Sequence, residues 1–167
     1  MRAGLSAFIL LICAILLPAR TDAAAPLIGP SGNPLPRFVS LSPEIAYLRT
    51  GPGLQYPVVW VYQRRHLPFE IIDEHGPWRQ VRDIEGATGW MHVRLLSSKR
   101  TVLLVGRTLT LHADPDPGAP VVLTADGGVI GRALACRGDW CRLDIDGRKG
   151  WIERRRLWGV YPQETFE

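Results

Sequence analysis

Cysteine supplies the first chemistry to weigh. Cys136 and Cys141 stand five positions apart across Arg137-Gly138-Asp139-Trp140, while Cys13 lies inside an apolar run near the start of the chain. In an oxidising compartment an even pair this close reads as a disulfide, and a thiol tied up in that way cannot act as a nucleophile. The histidines His66, His75, His92 and His112 occur singly, three of them near turns, and none has a second ligand at the close spacing of a zinc site. Beyond the apolar run the serines are Ser31, Ser40, Ser42, Ser97 and Ser98, all in linkers or at the entries of folded units, so a buried Ser-His-Asp arrangement has little to draw on. No glycine-rich loop leads into Lys-Ser or Lys-Thr. Asp114, Asp116, Asp144 and Asp146 lack the alternation of a calcium loop and read as turn residues. The expectation is a protein that is not an enzyme and takes no metal and no cofactor.

What remains is binding chemistry. Tyr47, Tyr56 and Trp78 offer stacking faces, and Arg49 beside Gly51-Pro52-Gly53 offers a guanidinium for a peptide carboxylate or backbone. For Tyr47 and Trp78 the alternative is that their rings close the ends of a small domain. Arg64-Arg65-His66 and Arg154-Arg155-Arg156 are short basic runs, read as solvated loop faces or as contacts for anionic wall polymer or lipid headgroups. The Arg137-Gly138-Asp139 tripeptide resembles an integrin-binding sequence, but Gly-Asp is ordinary hairpin-turn chemistry.

These residues are positioned by a duplication. Leu48 matches Leu111, Pro57 matches Pro120 and Val58-Val59 matches Val121-Val122 at an offset of 63; Trp78 matches Trp140 at 62; Gly89-Trp90 matches Gly150-Trp151 at 61. Two single-residue deletions account for the drift. In each copy the segments are short, β-branched and aromatic, and bounded by turn residues, which predicts two tandem all-β barrels with first-copy strands at 39–41, 58–62, 68–73, 78–82 and 88–91. Single 3₁₀ turns are expected over 92–96 and 153–157. At the offset of 62, Glu74 falls on Cys136 and Arg79 on Cys141, so a hairpin closed by a disulfide in one copy is expected to be closed by an opposite-charge pair in the other.

Around the repeat, the chain of 167 residues divides into a leader at 1–23, a Pro-rich linker at 24–36, a first domain at 37–98, a second at 99–160 and a tail at 161–167. The apolar run at 7–17 follows Arg2 and exits through Ala23-Ala24-Ala25, the pattern of an export signal. Eleven apolar residues are too few for a membrane span. Removing the leader leaves 18 basic against 15 acidic residues, a modest excess for which export makes nucleic acid an improbable partner. The expected location is periplasmic or secreted, without a transmembrane segment in the mature chain.

Tyr47-Leu48-Arg49-Thr50-Gly51-Pro52-Gly53, then Tyr56-Pro57-Val58, a Trp-x-x-Val step at Trp78 to Val81, and Gly89-Trp90 ending at Leu95-Leu96, together resemble the bacterial SH3 (Src-homology-3, SH3b) domain. The second copy is more divergent, with Leu111-His112-Ala113-Asp114-Pro115-Asp116 at the loop element. Tandem copies behind an export signal look like small exported proteins of Gram-negative bacteria in this family. The resemblance implies SH3-like barrels, periplasmic placement, and recognition of cell-wall (peptidoglycan) peptide or attachment to cell-wall hydrolases, without catalytic activity. Ligand contacts are expected in the first copy at Tyr47, Arg49, Tyr56 and Trp78. The alternative role is an adaptor that binds another envelope protein through Arg64, Arg65 and the seam between the domains.

Overall fold

The structure, a computed structural model, describes residues 27–167. The leader expected at 1–23 therefore lies outside the described residues. Two seven-stranded antiparallel barrels follow one another, and each strand of one has its counterpart in the other. The first is built from β3 (Arg37–Leu41), β4 (Ala46–Arg49), β5 (Val58–Tyr62), β6 (Pro68–His75), β7 (Trp78–Arg82), β8 (Thr88–His92) and β9 (Leu96–Ser97), in the order β5-β4-β8-β7-β6-β3-β9. A hairpin of β1 (Leu27–Ile28) and β2 (Pro34–Leu35) precedes it. The second barrel comprises β10 (Thr101–Leu104), β11 (Thr108–His112), β12 (Val121–Asp126), β13 (Ile130–Arg137), β14 (Trp140–Ile145), β15 (Arg148–Glu153) and β16 (Leu157–Trp158), in the order β12-β11-β15-β14-β13-β10-β16. Short 3₁₀ turns at Val93–Leu95 and Arg154–Arg156 carry the chain out of each barrel. Among the described residues no helix is long and apolar enough to cross a membrane.

Alternation along the strands sets the cores. In β4, Ala46 and Leu48 turn inward and Tyr47 outward, a period of two that places Leu48 with Leu41, Phe69, Ile71, Val81 and Met91. Leu104, Leu111, Leu143 and Ile152 do the same in the second barrel. Trp78 and Val81, three apart, face opposite ways along a regular β7, and the bulge lies across from them in β6, between Ile71 and Asp73. Val81 enters the core while Trp78 is covered from the other side by His92, ring centroids 5.4 Å apart. Gly89 and Gly150 explain the Gly-Trp steps: a Cβ would sit 2.8 Å from the Arg49 carbonyl oxygen at one and 2.8 Å from Leu111 Cβ at the other.

Barrels of this size bury little apolar area, so point connections matter. In the second barrel Cys136 and Cys141 are bonded across the β13–β14 hairpin at directly opposed positions. Glu74 and Arg79 oppose each other at the same place in β6–β7, as the offset of 62 requires. Both residues of this opposite-charge pair are buried. Glu74 accepts from Arg37 Nη2 at 2.6 Å and from the Ser31 N–H and hydroxyl at 2.8 Å each, and Arg79 Nε lies 3.1 Å away. Burial alone would raise the Glu74 pKa; the bonds from Arg37 and Ser31 outweigh it and hold the carboxyl at about 2.

Ser31 belongs to the stretch expected to be an extended linker. Residues 27–35 instead form the β1–β2 hairpin, with Leu35 buried in the first core and Gly29 packed against Glu74. A Pro- and Gly-rich segment reads locally as a spacer; its fixation comes from a carboxylate 43 residues further on. The 161–167 tail is likewise fixed. Phe166 pairs with Cys136 through two backbone hydrogen bonds, Glu164 binds Arg100, and Arg154 Nη1 donates to the carbonyls of Tyr161, Pro162 and Glu164. Burial works against the Glu164 carboxylate, but Arg100, the Tyr161 N–H and Arg154 pull its pKa below the ordinary range.

The barrels touch. Phe38 of β3 meets Trp158 at 5.1 Å edge-on and Tyr161 at 4.7 Å, the Tyr161 hydroxyl donates to Glu70 Oε1 at 2.9 Å, and Thr101 Oγ1 donates to the His66 carbonyl at 2.7 Å. Burial first, and then the Glu70 carboxylate, push the Tyr161 phenol well above its usual pKa and keep it a donor.

Candidate functional site

Arg49 is spent on its own loop. Its Nη1 donates to the carbonyls of Leu54 at 3.1 Å and Tyr56 at 2.7 Å, holding the turn after β4 in shape. The second barrel does the same with different chemistry: His112, the counterpart of Arg49, bonds through Nδ1 to the carbonyl of Ala119, the counterpart of Tyr56, at 2.8 Å. Tyr56 lies against Gly51, where a Cβ would fall 2.5 Å from Tyr56 Cδ1, and the ring keeps 39% of its surface exposed. Trp78 is buried and packs on His92, so of the two readings given to its ring the structure favours closure of the barrel.

Tyr47 is exposed. It sits opposite Val61, on the same face, with Val59 two residues along. β5 is the terminal strand of its sheet and pairs only with β4, so its outer row of N–H and C=O groups is unpaired with any other strand. Val58, Val59, Trp60 and Val61 are 42%, 50%, 59% and 40% exposed. Trp60 stands at the lip of a cavity of about 230 Å³ that runs over Tyr62, Pro68 and Ile84 to Leu103 of the second barrel. Beneath it, Tyr62 donates to Asp83 Oδ2 at 2.7 Å, and burial together with that carboxylate raises the phenol pKa far above its ordinary value.

The duplicate keeps only the valine end of this surface, Val121 and Val122, the exposed counterparts of Val58 and Val59. Tyr47, Trp60 and Val61 correspond to Thr110, Leu123 and Thr124, although β12 is also terminal. Instead, a cavity of about 620 Å³ opens in the second barrel beside Trp140, between Pro117, Asp139, Glu153 and Arg155. Glu153 is paired with Arg155 at 2.9 Å, and that bond draws its pKa below the usual carboxylate range. Trp140 packs edge-on to His112, 6.1 Å between centroids.

Arg64 and Arg65 lie on the β5–β6 turn, well away from Tyr56. Arg65 Nε donates to the Ser42 carbonyl at 2.8 Å. The expected site residues therefore do not form one cluster: Tyr47 and Tyr56 are exposed, Arg49 and Trp78 are structural in their contacts, Arg64 is exposed, and Arg65 lines a hollow with Ser97 and Lys99. Trp60 was not singled out from the sequence, where it reads as one more apolar residue of a strand; only the terminal position of β5 reveals that it is uncovered. Among the described residues there is no group of three His, Cys, Asp or Glu placed to hold a metal ion.

No curated protein matches the sequence. Among solved structures, the chain is similar to NlpC2 from Trichomonas vaginalis (15% identity, TM-score 0.36, covering 77% of this chain and 50% of that one). It is also similar to NlpC1 from the same organism (14%, 0.34, 73% and 45%) and to an NlpC/P60 family protein from Bacillus cereus ATCC 10987 (15%, 0.33, 77% and 58%). The chain thus spans about half the length of these proteins. The bacterial SH3 domain model matches at residues 42–98 and again at 105–159, one match on each barrel. With both barrels matched and their strands in the same order, the chain belongs to the bacterial SH3 domain family as a tandem pair.

Proposed function

We propose that the protein is a non-enzymatic binding module of the cell envelope that recognises cell-wall peptide with its first barrel. The observation that carries this reading is the terminal strand β5, whose four consecutive apolar residues Val58 to Val61 are exposed, Val61 on the face of Tyr47 and Trp60 on the other face, across from Leu48. An uncovered apolar edge is a hazard in a free domain and an asset in one that takes up an extended chain. Backbone groups of β5 supply affinity that is indifferent to side chains, and Trp60, Tyr47 and Tyr56 supply faces that select them. The export leader expected from the sequence and membership of the SH3 family favour wall peptide as the extended chain. Arg49 then acts by shaping the loop that carries Tyr56, not by touching ligand.

Retention of the protein on purified peptidoglycan sacculi tests the reading. Trp60→Ala with Tyr47→Ala is expected to abolish retention while leaving the melting temperature unchanged, because both side chains are exposed. Copurification with one envelope protein, in place of sacculus binding, identifies the adaptor role instead.

A further inference from the structure

The seam between the barrels carries a second concave surface with a different chemistry. A cavity of about 270 Å³ is lined by Ser42, Arg65, His66, Ser97 and Lys99, with no carboxylate among them. Arg65 is anchored through Nε to the Ser42 carbonyl, which leaves its two terminal nitrogens without a protein partner. Neither Arg65 nor Lys99 takes part in an ion pair among the described residues. Two uncompensated cations facing one hollow raise its potential and concentrate anions there.

The duplication shows that this is a departure from what the turn needs. The His66 N–H bonds to the Leu41 carbonyl at 2.9 Å, and the Gly128 N–H bonds to the Leu104 carbonyl at 2.8 Å, so the two turns close on equivalent bonds although the second is one residue shorter. Both residues have left-handed backbone, φ +66° for His66 and +84° for Gly128. The second barrel makes the turn with Asp126-Gly127-Gly128, which suits that conformation; the first uses the four residues Gln63-Arg64-Arg65-His66 and bears the steric cost of a Cβ at positive φ. Strain held at one point, in a copy that could have used glycine, marks a position kept for its side chain. The rest of the lining diverges in the same sense: Ser42, Ser97 and Lys99 correspond to Val105, Trp158 and Val160.

We propose that this seam cavity is a binding site for a phosphate group. Residues bearing a guanidinium, an ammonium, an imidazole and two hydroxyls line this one hollow, with the Ser97 hydroxyl already accepting from the Lys99 N–H. That set matches an oxyanion with two negative charges and several acceptor oxygens, whereas a single carboxylate is satisfied by one arginine. The site is separate from the β5 surface and does not depend on the reading given to it.

The test is a titration of the protein with inorganic phosphate, followed by amide chemical shifts, with acetate at matched ionic strength as the second arm and anionic phospholipid vesicles as the third. Phosphate is expected to saturate the shifts of His66, Ser97 and Lys99 in the millimolar range, with acetate at least ten-fold weaker. Arg65→Ala and Lys99→Ala should each weaken binding about ten-fold. His66→Gly should weaken it several-fold while raising the melting temperature by about 1 to 3 °C, since it relieves the backbone. A mere structural role for the turn would raise stability without moving the affinity. Non-saturating shifts, equal response to acetate, variants that bind as wild type, or vesicle capture without binding of inorganic phosphate would each overturn the proposal.

Discussion

Replacing Glu74 by glutamine removes the charge that ties the amino-terminal hairpin, Arg37 and Arg79 to the β6–β7 hairpin. A carboxyl held at about 2 in place of its ordinary 4.5 is linked to about 3 kcal/mol of folding free energy. Arg37, its shortest partner, keeps 21% of its side chain exposed, and solvent screens that pair, which brings the expected contribution to about 2 kcal/mol. The sign follows from the direction of the shift. A carboxylate whose folded pKa is depressed contributes fully above its unfolded value, and the contribution is lost as pH falls from about 4.5 toward 2. Urea unfolding of wild type and Glu74→Gln should therefore differ by about 2 kcal/mol near neutral pH, and the two curves should converge near pH 2. Comparing the pair cancels the other carboxylates, such as Glu164, that titrate in the same range. A gap below about 0.5 kcal/mol at neutral pH, or one that persists unchanged in acid, would refute the assignment of Glu74 as the closure of this hairpin.

Two further outcomes follow from the duplicated geometry and the seam. Glu74→Cys with Arg79→Cys should oxidise spontaneously, by thiol count, because the two positions oppose each other as Cys136 and Cys141 do; its melting temperature should not exceed that of wild type, since the new bond replaces the contacts of Glu74 with Ser31 and Arg37. Tyr161→Phe leaves the buried Glu70 carboxylate without the phenol hydrogen bond and should cost about 1 to 3 kcal/mol, read in calorimetry as a separation of the two barrels' transitions.

Much of the fold was legible because the duplication is local in register. Glu74 and Arg79 could be paired from the sequence by the cysteines that occupy their places in the other copy. Strand β4 was missed, although Ala46 and Leu48 alternate with Tyr47 and Arg49, because four residues ending in a Gly-Pro-Gly turn read as part of the loop. The hairpin at 27–35 and the 161–167 strap were read as spacer and tail for a different reason. Their anchors are Glu74, Cys136 and Glu70, the last 91 residues from Tyr161, and such pairings leave no trace in a local window. The site divided in the same way. Residue type suggested Arg49 and Trp78, and the structure spends both on packing and loop support; exposure picked out Trp60 and Lys99, and exposure is a property of topology.

The central claim is that β5 and its aromatic neighbours take up wall peptide. Retention of the wild-type protein on purified sacculi, measured beside Trp60→Ala with Tyr47→Ala at matched melting temperature, addresses it most directly. Retention is expected to survive moderate salt and to fall at least ten-fold in the double variant. Wild type that washes through, or a double variant retained as well as wild type, would contradict it.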